Sequence, residues 1–324
     1  MTGPNATPES GQQTVEPSAS AVMAASGKTF FQAARLLPED VRDGVVALYA
    51  FCRYVDDLAD ESTQSFAVRS QQLHDLQRAL LEGQIEESTG ALSKLHLSVH
   101  LSPSGRRAAS ILVGAAREDL SQKQPKNEAE LVSYAFGVAG TVGLMMGEVL
   151  GAQKQGTRAA IELGIAMQLS NIARDVEQDF RARRVYLPAS WITSTELERA
   201  LTQHDEAAQN ALVSATLRLL NLADEFYDSA FTGFWTLPLR VRWSILSAAL
   251  CYREIGVYVG KNINASWHAR TIVPRWRKVM LIAIAGARLL LPRYWRAQAV
   301  GTSGPGLELL GRLSDVAGLA EIHS

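Results

Sequence analysis

Two apolar runs of helical period each carry a stripe of carboxylates, and no fold can bury such stripes without arranging charge to meet them. The first run reads Leu48-Tyr49-Ala50-Phe51-Cys52-Arg53-Tyr54-Val55-Asp56-Asp57-Leu58-Ala59-Asp60. The second reads Met167-Gln168-Leu169-Ser170-Asn171-Ile172-Ala173-Arg174-Asp175-Val176-Glu177-Gln178-Asp179. An α-helix turns about 100° per residue, so with Tyr49 at zero, Arg53 falls near about +40°, Asp56 near about −20° and Asp60 near about +20°. Asn171, Asp175 and Asp179 follow at i, i+4 and i+8, and Gln168 projects into the same sector. Asp57, Glu177 and Gln178 point elsewhere. The flanks Ile161 to Leu169 and Ile172 to Val176 are too apolar for a fully exposed helix. Two acidic stripes with arginines beside them make a place for divalent metal ions and a polyanion.

The rest of the chain supports one large all-α domain. With 324 residues, 47% of them hydrophobic, it can bury a substantial core. Helical periods cover about 38–60, 65–82, 105–118, 128–150, 157–180, 205–230, 239–261 and 275–291. Arg184-Val185-Tyr186-Leu187-Pro188 is the one extended candidate, ending at a proline. These limits predict a disordered N-terminal tail over 1–25, a helical domain over 26–295 and a peripheral C-terminal tail over 296–324. A formal net charge of −1 leaves no footprint for nucleic acid. Cys52 and Cys251 sit in apolar helical patterns and read as reduced core residues of a cytoplasmic chain.

Val279 to Leu291 reads as the most hydrophobic window, is too short to span a bilayer, and contains Arg288. Arg275-Trp276-Arg277-Lys278 precedes it and Arg293-Tyr294-Trp295-Arg296 follows it. A buried helix with solvated basic ends is the preferred expectation, and a membrane-surface helix the alternative. Gly137, Gly140, Gly143 and Gly147 fall in one helical stretch beginning at Tyr134. Each costs about 1 kcal/mol relative to alanine. Either close helix packing or room for a ligand explains that cost, and the small apolar face predicts a long hydrophobic slot.

The chemistry follows from these residue types. Carboxylates with an amide oxygen suit Mg²⁺ or Mn²⁺ rather than zinc. Arg53 and Arg174 add charge-assisted hydrogen bonds for a diphosphate held through the metal. Diphosphate departure leaves a carbocation, which an apolar cavity keeps from water and which the ring faces of Tyr49, Tyr134 and Tyr252 can stabilise. Arg181-Ala182-Arg183-Arg184 is either a solvated basic run or a flap over the diphosphates. His96, His100 and His268 read as ordinary histidines, without the third ligand a metal site needs. Phosphate-binding glycine loops and Ser or Cys nucleophile motifs are missing from the sequence.

At these residues the chain resembles the squalene and phytoene synthase family, whose members join two prenyl diphosphates head to head. The runs Tyr49 to Asp60 and Asn171 to Asp179 look like the family's two aspartate-rich motifs. Tyr134 with Gly137-Val138-Ala139-Gly140-Thr141-Val142-Gly143 looks like its central helix, and Arg184 to Pro188 like its flap. Gly164 to Val176, Leu237 to Trp243 and Tyr252 to Gly256 are most similar to bacterial phytoene synthases.

The resemblance implies an isoprenoid-synthase-type bundle with a central apolar cavity. It implies that two geranylgeranyl diphosphates condense to prephytoene diphosphate and then phytoene, in carotenoid biosynthesis. Metal binding carries over to Asp56, Asp60, Asn171, Asp175 and Asp179, with Mg²⁺ or Mn²⁺ expected and no nicotinamide. Catalytic roles carry over to Tyr49, Arg53, Asp56, Asp60, Tyr134 and Asp175. Substrate contacts carry over to Thr29, Gln168, Asn171, Arg174 and Tyr252. Gly27-Lys28-Thr29-Phe30 stands where the family commonly has Ser-Lys-Ser-Phe, so Thr29 keeps a hydroxyl that Gly27 lacks. The resemblance also leaves room for peripheral association with the inner face of a membrane and for contact with other carotenoid-pathway enzymes. Three alternatives stay open: a farnesyl-diphosphate enzyme giving dehydrosqualene, squalene or presqualene diphosphate, a silent prenyl-diphosphate-binding scaffold, and a terpene cyclase or hydrolase using one substrate.

Overall fold

A computed structural model describes residues 37–60, 63–82, 101–267 and 270–290. Thr29 with its neighbours, His96, His100, His268 and both expected tails lie outside the described residues. The described chain forms α1 (Glu39–Asp60), α2 (Phe66–Glu82), α3 (Pro103–Asp119), α4 (Glu128–Ala135), a π-helical turn (Phe136–Gly140) and α5 (Thr141–Val149). It continues as α6 (Lys154–Arg181), α7 (Ser194–Thr202), α8 (Glu206–Gly233), a 3₁₀ turn (Phe234–Thr236), α9 (Leu239–Lys261), α10 (Ile263–Ser266) and α11 (Arg275–Leu289). Among the described residues there is no β-strand, and 184–188 is an irregular connection. Helices α7 and α10 were not anticipated, because nine and four residues carry too little periodicity to stand out.

Helix ends follow local chemistry. The Ser102 hydroxyl accepts from the Gly105 N–H and Pro103 fills the first helical position of α3. Asn127 caps α4, Thr193 and Glu196 form a capping box on α7, and Asp205 caps α8. Glu148 of α5 accepts from the Ser102 N–H at 3.1 Å and from the Ser104 hydroxyl at 3.0 Å, tying the start of α3 to the end of α5.

Helix α6 runs through the middle of the bundle, with its most extensive packing against α8 and further contacts to α5, the π turn and α9. Its core face carries Ile161, Ile165, Leu169, Ile172 and Val176. Across it, Tyr227 of α8 meets the Ser170 hydroxyl at 3.1 Å, and Phe231 packs edge-on against Phe234 with centroids 5.7 Å apart. The buried Glu162 accepts from Arg158 at 2.9 Å, so this deeply placed carboxylate is compensated.

The glycine-rich stretch satisfies both of its readings. A Cβ on Gly143 would lie 2.0 Å from the Ala160 carbonyl oxygen, and one on Gly164 would lie 2.2 Å from that of Ala139. Only glycine lets these two backbones approach so closely. Just before Gly143 the helix widens into the π turn, with Thr141 donating its hydroxyl to the Gly137 carbonyl at 2.7 Å. The continuous stretch Glu128–Val149 is, by length and composition, apolar enough to cross a membrane, with mean hydropathy 1.4, but half of that window is buried in the protein. By contrast α11 is not the buried helix expected of it: only Leu281 and Ala285 on it are buried, and its outer face meets solvent.

Candidate active site

One end of the bundle gathers charge from four directions into a polar cavity. Helix α1 supplies Asp56 and Asp60, α3 supplies Asp119, and α4 supplies Tyr134. Helix α6 supplies Gln168, Asn171, Arg174, Asp175 and Asp179, and the connection after it supplies Arg184 and Tyr186. The two acidic stripes thus line one space.

The stripe on α6 is not the regular one its spacing predicts. Asp175 leaves helical geometry at φ −106° and ψ 15°, the sparsely populated region where active-site residues often sit. Arg174 closes on the neighbouring Asp175 carboxylate through Nε and Nη2, and Arg270 reaches the same carboxylate with Nε at 3.2 Å. Arg184 Nη2 donates to Asp60 at 2.7 Å, with its Nε 3.8 Å from Asp119. The Tyr186 hydroxyl donates to Asp119 at 2.9 Å while its ring stacks on Tyr134, centroids 4.8 Å apart. The segment after α6 therefore folds back over the cavity as a flap, latched by Arg184 and Tyr186.

Crowding shows in the carboxylates. Asp56 opens at its tip to the cavity, yet the protein round it excludes solvent and pushes it up to about 6, opposed by Arg53 and Arg184 and reinforced by Asp60 and Asp57. Loss of solvent, then repulsion from Asp175 and Asp119, pushes Asp179 up to about 7 against Arg184 and Arg174. Burial, before any charge effect, raises Asp119 and the Tyr134 and Tyr186 hydroxyls.

An apolar slot adjoins this cavity and shares Val138, Gln168 and Asn171 with it. Val142, Gly143, Met146 and Gly147 form one wall; Phe234, Leu237, Ile245 and Ala248 form another; Tyr252 stands beside them. A polar head compartment opening into a long apolar one can hold an amphiphile with an anionic head and a hydrocarbon tail.

The anticipated residues do not all point inward. Arg53 turns its Nη2 to Asp57 at 2.6 Å and lines neither cavity, and Tyr49 is half-buried against the core. Tyr134 lines the polar cavity and Tyr252 the slot. Glu177, set aside on spacing, pairs with Arg181 at 2.6 Å. Reading the sequence alone missed Asp119 and Arg270 altogether. Each stands singly, without a partner at helical spacing, so no periodic signal marks it. Carboxylate and amide oxygens are donors of the kind Mg²⁺ or Mn²⁺ takes, and a divalent cation would relieve the crowding at Asp56 and Asp179. Among the described residues no three His, Cys, Asp or Glu side chains group to hold one ion. The donor set fits ions held by one or two carboxylates each, with substrate and water oxygens completing the shell.

Comparison with known proteins gives concordant matches. The family model described as squalene/phytoene synthase matches residues 23–277. The chain is 33% identical over 284 residues to the 15-cis-phytoene synthase of Pantoea ananas, covering 84% of this chain and 91% of that protein. It is 34% identical over 286 residues to the 15-cis-phytoene synthase of Paracoccus sp., covering 82% and 90%. A crystal structure of a dehydrosqualene synthase in complex with ligand superposes with a TM-score of 0.71 at 28% identity, covering 84% of this chain and 95% of that one.

Proposed function

Because the chain belongs to the squalene/phytoene synthase family, we propose that it joins two geranylgeranyl diphosphates head to head, forming prephytoene diphosphate and then phytoene. It is a prenyltransferase of carotenoid biosynthesis, and each half-reaction expels one diphosphate. The observation that carries this reading is the junction at Val138, Gln168 and Asn171, where an acidic, arginine-bearing compartment opens directly into an apolar slot.

Roles follow from placement. Asp56, Asp60, Asn171, Asp175 and Asp179 would hold Mg²⁺ or Mn²⁺, which when bound neutralises diphosphate and makes it a good leaving group. Arg174, Arg184 and Arg270 already stand among these carboxylates, and a diphosphate would draw their donors into charge-assisted bonds. Arg53 reaches the substrate by exchanging Asp57 for it. The stacked rings of Tyr134 and Tyr186 sit where the head compartment is roofed by the flap, and their faces can stabilise an allylic cation. The slot keeps water from that cation, and Tyr252 borders its path. Thr29 belongs to the diphosphate contacts by resemblance. The protein works at the inner face of a membrane, beside enzymes that consume its product.

The test is product analysis with Mg²⁺ and without nicotinamide, supplying geranylgeranyl or farnesyl diphosphate separately. A 40-carbon triene chromophore from the 20-carbon substrate is the expected outcome. A 30-carbon product from farnesyl diphosphate alone would overturn the substrate assignment and keep the site. No coupled product from either would overturn the enzymatic reading.

A further inference from the structure

The flap over the head compartment is held unequally at its two ends. Arg181, Ala182 and Arg183 at its start are exposed, and Arg183 has a left-handed backbone at φ 62°. A non-glycine residue in that region marks a strained joint. The tie from this start to the connection between α3 and α4 is long: Gln122 Nε2 donates to the Ala182 carbonyl at 3.5 Å. At the far end Leu187 and Ile192 are each 1% exposed, and both of their carbonyls accept from a single side chain, Nε2 of Gln124, at 2.8 Å.

Gln124 commits its whole amide to this one segment. While Nε2 donates twice, Oε1 accepts from the Ser194 N–H at 3.1 Å. Main-chain bonds run beside it, from the Ala189 N–H to the Pro125 carbonyl at 2.8 Å and from the Ser190 N–H to the Lys126 carbonyl at 3.0 Å. The bonds have a local cause. Residues 184–188 form no regular structure and Pro188 has no N–H, so the carbonyl of the buried Leu187 finds its donor in a distant side chain.

The consequence reaches the site because the arm is short. Leu187 directly follows Tyr186, whose ring stacks on Tyr134 and whose hydroxyl donates to Asp119. Arg184 at the tip holds Asp60, and a diphosphate that draws Arg184 away must move that tip. We propose that Gln124 is a positioning residue for turnover: it pins the far end of the flap, so that the flap swings about Arg183 and returns Arg184 and Tyr186 to one place over the head compartment. The pin itself follows from the bonds above, and its effect on turnover rests on the proposed reaction. Misplacing a reacting group by about 1 Å can cost on the order of a hundredfold in rate.

Gln124→Met and Gln124→Glu nearly keep the length of the side chain and remove both donors, and a folding failure in one leaves the other to decide. Hydrogen exchange on the substrate-free full chain should show the Ala189 and Ser190 amides exchanging about tenfold faster or more, with α6 and α8 at the wild-type rate. At a temperature well below the thermal midpoints, both variants should lose about tenfold or more in kcat/KM with geranylgeranyl diphosphate. A misplaced flap also admits water, which adds to the carbocation and sheds a proton to give a prenyl alcohol. That by-product should rise several-fold, a change that lowered stability alone would not produce. In an Arg184→Ala background Gln124→Met should cost only about two- to threefold, because part of what it positions is gone. Exchange needs no turnover, so it separates failure of the pin from failure of the enzymatic reading. Unchanged exchange overturns the proposal, as does wild-type kcat/KM in the variants, or an equal cost with and without Arg184.

Discussion

Asp175 combines an irregular backbone with two guanidinium partners, and Asp56 faces the cavity with no hydrogen bond that fixes it among the described residues. Both are expected to be indispensable, for different reasons. Asp56→Ala should lower kcat by about a thousandfold or more by removing a metal oxygen. It should shift the thermal midpoint little, because the side chain fills no core. Asp175→Ala should do comparable damage while releasing Arg174 and Arg270. Wild-type turnover in either variant would remove the proposed metal site. Asp179 makes a pH prediction. Its folded-state pKa of about 7 lies above the usual carboxylate value, so the folded protein holds this proton more tightly than the unfolded chain does. The stability linked to it is present below about pH 4 and is lost as pH rises through about 7. Metal-free Asp179→Asn should therefore melt higher than metal-free wild type at pH 8, with the difference closing towards pH 4. Each kcal/mol corresponds to about 1.5 °C in a chain of this size. Equal midpoints at pH 8 would show that Asp179 is not crowded.

At the scale of elements, the seam between α5 and α6 and the flap after α6 carry the risk. Gly143→Ala drives a methyl group into the Ala160 backbone, and neither helix can retreat without moving the bundle. A loss of about 1–3 kcal/mol is expected, seen as a lower midpoint in denaturant. Gly147→Ala is the control: its added Cβ meets its nearest neighbours at 3.5 Å, ordinary contact, so stability should hold or rise with helix propensity. The flap offers a graded pair. Tyr186→Phe removes the bond to Asp119 but keeps the ring on Tyr134, and should cost turnover modestly. Arg184→Ala leaves Asp60 and Asp119 facing each other without their shared cation, and should cost about ten- to a hundredfold in kcat/KM. If Tyr186→Phe proved the more damaging of the two, the latch would be the phenol and not the guanidinium.

For the molecule as a whole, chelation should abolish product formation and Mg²⁺ or Mn²⁺ should restore it, with the circular dichroism of the bundle unchanged. Turnover in excess chelator would end the metal reading. The sequence by itself determined the helical class, because apolar residues at a period near 3.6 admit no strand, and it set Asp56 with Asp60 and Asn171 with Asp179 on shared faces through spacing alone. It also signalled the glycine seam, whose cost in helix propensity demanded a reason. Asp119 and Arg270 carried no such signal: a single charged residue looks the same in sequence whether it faces water or a cavity. Nor did the spacing reveal that Arg53 turns to Asp57, that α6 breaks stride at Asp175, or that α11 leaves an apolar face uncovered. Those were settled only by the tertiary structure. Periodicity is a property of one helix, whereas a side chain's partner, and what lies opposite a helix face, depend on how helices distant in sequence pack together.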